Sequence, residues 1–273
     1  MPVTPPKWII ALVGAIGLLW IVPLIGVALT SLQTPEAIAR GWWNLGNADF
    51  TLDAWTRVWT EYPIAASLWS SVKLTAIATV LTMLTAPAAA YAFHYLRFPL
   101  RRGTLILVIN AFVLPQQVVI IPLFQLWRDM GLIGNVAAVI VPYVGLSYAW
   151  AVFLVKSFLE DFPKELIEAA RIDGCGPVGT FFRIVLPNLV SPISACAILQ
   201  FLWCWNSLLL PMLFLREDVP LTVMLARIAG QYDPNVNMQS AAAIVTAFVP
   251  LCVFILFQKQ FAAGNQVSGG GKE

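Results

Sequence analysis

The chain has 273 residues, 59% of them apolar and only 11% charged, with a net charge of +2. Soluble globular domains carry roughly 25% charged residues. The composition therefore argues against an ordinary soluble enzyme, excludes disorder, collagen and a disulfide-rich miniprotein, and gives no electrostatic footprint for nucleic acid.

Six stretches are long and apolar enough to predict membrane-spanning helices, each of about 20 residues. In chain order they are Trp8–Ser31, Ala65–Phe93, Thr104–Leu126, Val136–Val155, Pro192–Leu215 and Ser240–Phe257. They are continuous rather than alternating, which disfavours β-strands. The first is too long for a signal-peptide core and is read as a retained helix. With the N-terminus inside, the inner segments hold ten basic residues and the outer ones six. That bias predicts both termini inside. The clearest inner marker is the basic loop His94–Arg102.

The expected organisation is an N-terminal span (1–33), an extracytoplasmic segment (34–64), a core of five spans (65–260) and an inner tail (261–273). Residues 33–64 and 216–238 are the expected outer segments. A long inner loop, 156–190, has a helical pattern of its own.

Several chemistries find no support. Lys73 is the one charged residue within the spans, and it sits close to the outer end, where snorkelling is cheap; ion-coupled carriers generally need intramembrane Asp, Glu or His. Cys175, Cys196, Cys204 and Cys252 form no CxxC pair. His94 is the only histidine, which makes a metal site improbable. Gly145-Leu-Ser147-Tyr148 begins like an intramembrane serine protease motif but lacks its final glycine. The Gly-rich tail 268–273 has neither the first glycine nor the Ser/Thr of a phosphate loop. No catalytic, metal or cofactor residue is expected on this chain.

The inner loop is the informative segment. Pro163 suits the start of a helix, and Gly174 suits the position after one, where φ is often positive. Leu166, Ala169, Ala170 and Asp173 fall on one helical face, and Lys164–Glu168 and Glu168–Arg171 are spaced to pair. Gly176-Pro177 starts a second short helix with Val178, Phe181, Phe182 and Val185 as its apolar stripe. This predicts a helix–Gly–helix knuckle narrow enough to enter another protein's groove. The pattern alone also fits an amphipathic pair lying on the membrane surface.

Glu168-Ala169-Ala170-x3-Gly174-x9-Ile184-x-Leu186-Pro187 resembles the EAA motif of ABC importer permeases. Phe162-Pro163-Lys-Glu-Leu-Ile and Trp205-Asn206 are similar to the carbohydrate-uptake branch, in particular the second permease of maltose-type systems. The resemblance covers about residues 8–264. It implies an all-α, polytopic type I permease fold with six transmembrane helices in a bacterial inner membrane. It also implies partners: a second permease, two ATPase subunits that bind ATP and Mg, and an external sugar-binding protein. Glu168, Ala169, Ala170, Asp173, Gly174, Ile184, Leu186 and Pro187 would couple the chain to the ATPase, with Glu168 holding the knuckle and Gly174 making the turn. The chain departs from the family at Ser70-Ser71, where Asn-Ser is frequent, and in its Gly-rich tail.

Candidates for the sugar path within the spans are Gln116, Gln117, Tyr143, Ser147, Tyr148, Trp203, Trp205 and Asn206, with Gln116, Gln117 and Asn206 foremost. The aromatic residues fit interfacial anchoring or packing equally, and the amides fit helix–helix hydrogen bonding. The competing classes are an ion-coupled carrier or channel acting without an ATPase, and an intramembrane enzyme.

Overall fold

The structure is a computed structural model and describes residues 6–113, 115–230 and 235–269, with side chains in the last segment as far as 257. Its α-helices, in chain order, are α1 (Lys7–Thr30), α2 (Pro35–Ala39), α3 (Asp53–Glu61), α4 (Ile64–Tyr95), α5 (Arg101–Val113), α6 (Gln116–Asp129) and α7 (Ala137–Glu160). They continue with α8 (Lys164–Ile172), α9 (Pro177–Thr180), α10 (Leu186–Asn188), α11 (Val190–Trp205), α12 (Leu209–Phe214), α13 (Leu221–Ala229) and α14 (Val236–Gly269). A π-helical turn, Phe181–Val185, joins α9 to α10. Among the described residues there is no β-strand, only an isolated bridge between Gln33 and Phe50.

Four helices are long and apolar enough to cross a bilayer alone: α1, α4, α7 and α14 as far as Phe257. Two bent pairs bring the number of spans to six if each pair is one span. The predicted third span is α5 and α6, which meet at 101°. Pro115, extended at φ −62° and ψ 132°, has no N–H with which to continue a helix through this point. The second bent pair is Pro177–Asn188 with Val190–Trp205, at 74°, so that span begins in the second arm of the predicted inner loop. The predicted fifth span, Pro192–Leu215, is not one helix either. It is α11 followed by α12, with the chain unwound over 206–208. There the Asn206 side chain donates to the Leu202 carbonyl at 2.8 Å, and Pro211 offers no N–H to carry the helix on.

The chain divides into two compact units, one of residues 1–68 with 221–249, the other of 69–220 with 250–273. In the first, the segment after α1 is folded rather than loose. Thr34 caps α2 by accepting from the Ala37 amide, as Thr at an N-cap does. The Thr34 amide donates to Asp49 O at 3.1 Å and the Thr51 amide to Leu32 O at 2.7 Å. Asn237, at the start of α14, donates to Gln33 O at 3.3 Å. In α1 itself only Gly26 and Thr30 are buried, as expected of a helix whose surroundings are lipid or another chain.

The second unit holds the core that positions the inner loop. Ala86 and Ala90 of α4 and Ala151, Val152 and Val155 of α7 are all fully buried. Small residues there let the helices approach closely. At the opposite end of α4, Ser70 donates to the Asp218 carbonyl. Ser70 of the departing Ser70-Ser71 pair thus ties Asp218 to α4. Residues 231–234 of the expected outer segment 216–238 lie outside the described residues, as do residues 270–273 of the predicted tail.

Candidate functional site

The knuckle forms, and its turn has full hydrogen-bonding logic. At the end of α8, the Cys175 amide donates to Ala170 O at 2.9 Å and the Gly174 amide to Arg171 O at 3.1 Å. This pair of bonds is a Schellman motif, which requires a left-handed residue at the turn. Gly174 supplies it with φ 77°. Gly176 is extended, Pro177 opens α9, and Thr180 donates to Gly176 O through both its amide and its hydroxyl.

One side of the knuckle is built into the core of its unit. Ile167, Phe181 and Val185 are buried with Phe162, Leu159 and Tyr91. The Tyr91 hydroxyl, on α4, donates to Pro177 O at 3.1 Å, and its ring lies 5.3 Å from that of Phe181. No sequence pattern links Tyr91 to a residue 86 positions on, so sequence reasoning missed it. The π-turn closes with the Leu186 amide donating to Phe181 O. This wider turn immediately precedes Pro187, whose ring would crowd a carbonyl four residues back in an α-helix. Ile184 and Leu186 are half-buried and Pro187 is exposed.

The other side faces outward. Ala169, Glu168, Asp173, Leu166, Ile172, Val178 and Phe182 are exposed, Ile172 at 85%. Two expectations change. Ala170 is buried while Ala169, Leu166 and Asp173 are not, so the four do not share one environment. The expected stripe splits into Phe181 and Val185, buried in the core of the unit, and exposed Val178 and Phe182. Neither Lys164–Glu168 nor Glu168–Arg171 is among the ion pairs of the described residues, the nearby one being Lys156–Glu160 on α7.

A second feature lies along the spans of the same unit. Gln116, Gln117, Trp203, Asn206, Ser207 and three leucines line a cavity of about 540 Å³. Gln116 and Trp203 also border a neighbouring cavity of about 220 Å³. Three amide side chains from two separate helical breaks thus converge on one space. Gln116 Oε1 is shut away from solvent and accepts no hydrogen bond among the described residues. Tyr143 and Trp205 are not on this wall. Tyr143 is 1% exposed and packs edge-on against Trp203 at 5.6 Å. Trp205 is 2% exposed and stacks on Phe201. Ser147 is buried and donates to Tyr143 O at 2.6 Å, a packing role. Tyr148 is half-buried and lines neither cavity.

No Asp, Glu, Lys or Arg is buried among the described residues, and no group of His, Cys, Asp and Glu there is arranged to hold a metal. The arrangement is suited to letting a polar solute pass and to taking force through a rigid knuckle; it is that of a multi-pass transport component. Residues 84–263 match the family described as binding-protein-dependent transport system inner membrane components, and the chain belongs to that family.

The chain is 32% identical to a probable ABC transporter permease protein of Pyrococcus horikoshii, over 92% of each chain. It is also 32% identical to the arabinooligosaccharides transport system permease protein AraQ of Halalkalibacterium halodurans, over 96% of each. Among solved structures it is similar in fold to a chain of a bacterial ABC transporter involved in the import of the acidic polysaccharide alginate. The TM-score is 0.79 at 20% identity, covering 95% of this chain and 99% of that one.

Proposed function

We propose that this chain is a permease subunit of an ATP-driven importer for a sugar or sugar derivative, in a bacterial cytoplasmic membrane with both termini inside. It forms the translocation path with a second permease. Two ATPase subunits bind ATP and Mg, one of them seating this chain's knuckle in a cleft, and an external binding protein delivers the cargo. The observation that carries this reading is the two-sided knuckle. Its inner side is locked to α4 and α7, and its outer side leaves Ala169 and a set of apolar side chains free to enter a partner's cleft. A rigid body anchored at the base of two spans transmits a push from the ATPases to the spans. A floppy loop would absorb it.

The cargo class is supported by the cavity and by relatives. Amides and an indole face are what sugar hydroxyls and sugar rings need, and about 540 Å³ is within the size range of small-molecule sites. Relatives bear names for arabinooligosaccharide, α-glucoside and lactose transport. In this account Gln116, Gln117 and Asn206 bond the cargo, while Tyr143 and Trp205 only support the wall. Glu168 contacts the ATPase as a charge. Asp173 and Gly174 end α8, and Ile184, Leu186 and Pro187 set the angle of the second arm.

The test is reconstitution in proteoliposomes with the second permease, the ATPase and the binding protein encoded beside it. Labelled oligosaccharide uptake should need ATP and the binding protein. Uptake by this chain alone, driven by an ion gradient, would favour a carrier instead.

A further inference from the structure

We propose that the inner end of the second unit holds one anionic phospholipid, gripped through its phosphate. The site is a cavity of about 750 Å³ lined by Arg97, Phe98, Leu100, Arg101, Arg102, Gly103, Leu105 and Lys156. Four cations, Arg97 from the α4–α5 loop, Arg101 and Arg102 from α5 and Lys156 near the end of α7, face one space. Only one acidic partner is recorded for them among the described residues, Glu160, paired with Lys156. Such a concentration of like charge beside a bilayer attracts phosphate.

The four cations play different parts. Arg101 donates through Nη1 to Leu96 O at 3.1 Å and through Nη2 to His94 O at 3.2 Å. It holds one carbonyl at the end of α4 and one just past it, and so shapes the loop. Arg97 and Arg102 are exposed and enter no ion pair recorded among the described residues. They are the ligand's arms.

The apolar lining selects a lipid over a free anion. Phe98, Leu100 and Leu105 share the wall with the guanidinium groups. Leu100 is 83% exposed and stands at φ 59°, which L-residues seldom adopt. A turn between two spans that presents a bare leucine beside three arginines matches the boundary between headgroup and acyl chain. On the proposed topology that boundary is the cytoplasmic leaflet, where anionic lipids face the protein. The inference does not depend on the cargo.

The experiment is native mass spectrometry of the detergent-purified full chain titrated with phosphatidylglycerol, phosphatidylcholine or inorganic phosphate. The parent should retain one phosphatidylglycerol and no phosphatidylcholine at equal concentration. Arg97→Gln with Arg102→Gln should weaken binding about 25-fold, each cation near an anionic surface being worth roughly fivefold. Arg97→Lys with Arg102→Lys should keep the adduct, which separates lost charge from lost folding. Removing two arginines elsewhere, Arg40→Gln with Arg128→Gln, should leave it unchanged. Equal loss in that control would reduce the effect to net charge and overturn the site. Displacement of the lipid by millimolar phosphate would assign a free anion and overturn the lipid. Loss of the adduct on assembly with the ATPase would make the patch a protein-docking face, which also overturns it.

Discussion

The Tyr91 hydroxyl on α4 reaches the Pro177 carbonyl oxygen at 3.1 Å, joining a membrane span to the first residue of the knuckle's second arm. The bond restrains one main-chain carbonyl just past the Gly174 turn, and the Tyr91 ring packs on Phe181 behind it. Tyr91→Phe keeps the ring and removes the bond. The cost should be on the order of 1 kcal/mol. Amide hydrogen exchange should quicken about fivefold over residues 178–186 and stay unchanged in the spans. An unchanged rate there would mean that the bond does not hold the arm.

Substitution at Gly174 should follow backbone strain rather than bulk. A Cβ at this position meets nothing within 4 Å, so the penalty comes from φ 77° alone. Gly174→Asn should be mildest, since Asn tolerates the left-handed region. Gly174→Ala should cost roughly 1–2 kcal/mol and Gly174→Val on the order of 1–3 kcal/mol. Sugar-stimulated ATPase rates of the reconstituted transporter should fall in that order. Equal rates for Asn and Val would remove the turn geometry from the account.

The two alanines of the motif should behave oppositely. Ala170 is 4% exposed, and Ala170→Asp would bury an unpaired carboxylate at a cost of several kcal/mol, lowering the yield of folded chain. Ala169 is exposed, so Ala169→Asp should leave yield and gel-filtration profile at parental values. Proteolysis of the 156–190 segment in membrane vesicles distinguishes the two.

Much of this was legible from residue types. Apolar run length found the membrane helices, and Gly174 and Gly176-Pro177 marked the turn and the second arm because few other residues suit those backbone positions. The amides Gln116, Gln117 and Asn206 stood out as polar groups in apolar surroundings, and they do share a cavity. The misses have physical causes. Periodicity finds a stripe but not which part of it a neighbouring element covers, so Phe181 and Val185, buried against the core, read like the exposed Val178 and Phe182. Apolar run length is blind to a break, and so α5–α6 and α11–α12 read as single spans. An aromatic in a span looks the same whether it lines a path or fills a core, which is why Tyr143 and Trp205 passed as candidates. The basic cavity was visible only as an inner-side marker, since Lys156 joins it from 54 residues beyond Arg102.

For the path itself, Gln116→Ala and Asn206→Ala should each raise the half-saturating sugar concentration about fivefold, the loss of one hydrogen bond of roughly 1 kcal/mol. Trp205→Phe, at a residue buried off the wall and stacked on Phe201, should alter expression more than half-saturation. Uptake titrations with the purified binding protein in excess separate these effects. An Asn206→Ala transporter with parental half-saturation would take that residue off the path.

Topology has an independent check. In a background with Cys175, Cys196, Cys204 and Cys252 replaced, Asp49→Cys should react with an impermeant maleimide in intact cells, and Lys164→Cys only after permeabilisation. The background matters because Cys175 is partly exposed within the knuckle.

The central claim is that the knuckle carries force between an ATPase and these spans, and Ala169→Asp tests it most directly. A charge placed in a close-packed contact should cost on the order of 3 kcal/mol, more than a hundredfold in docking. The measurement is paired hydrolysis and uptake by transporter reconstituted with either parent or Ala169→Asp chain. Sugar-stimulated hydrolysis and uptake should both fall at least tenfold while the variant still inserts at the parental level. Parental rates of both would contradict the account.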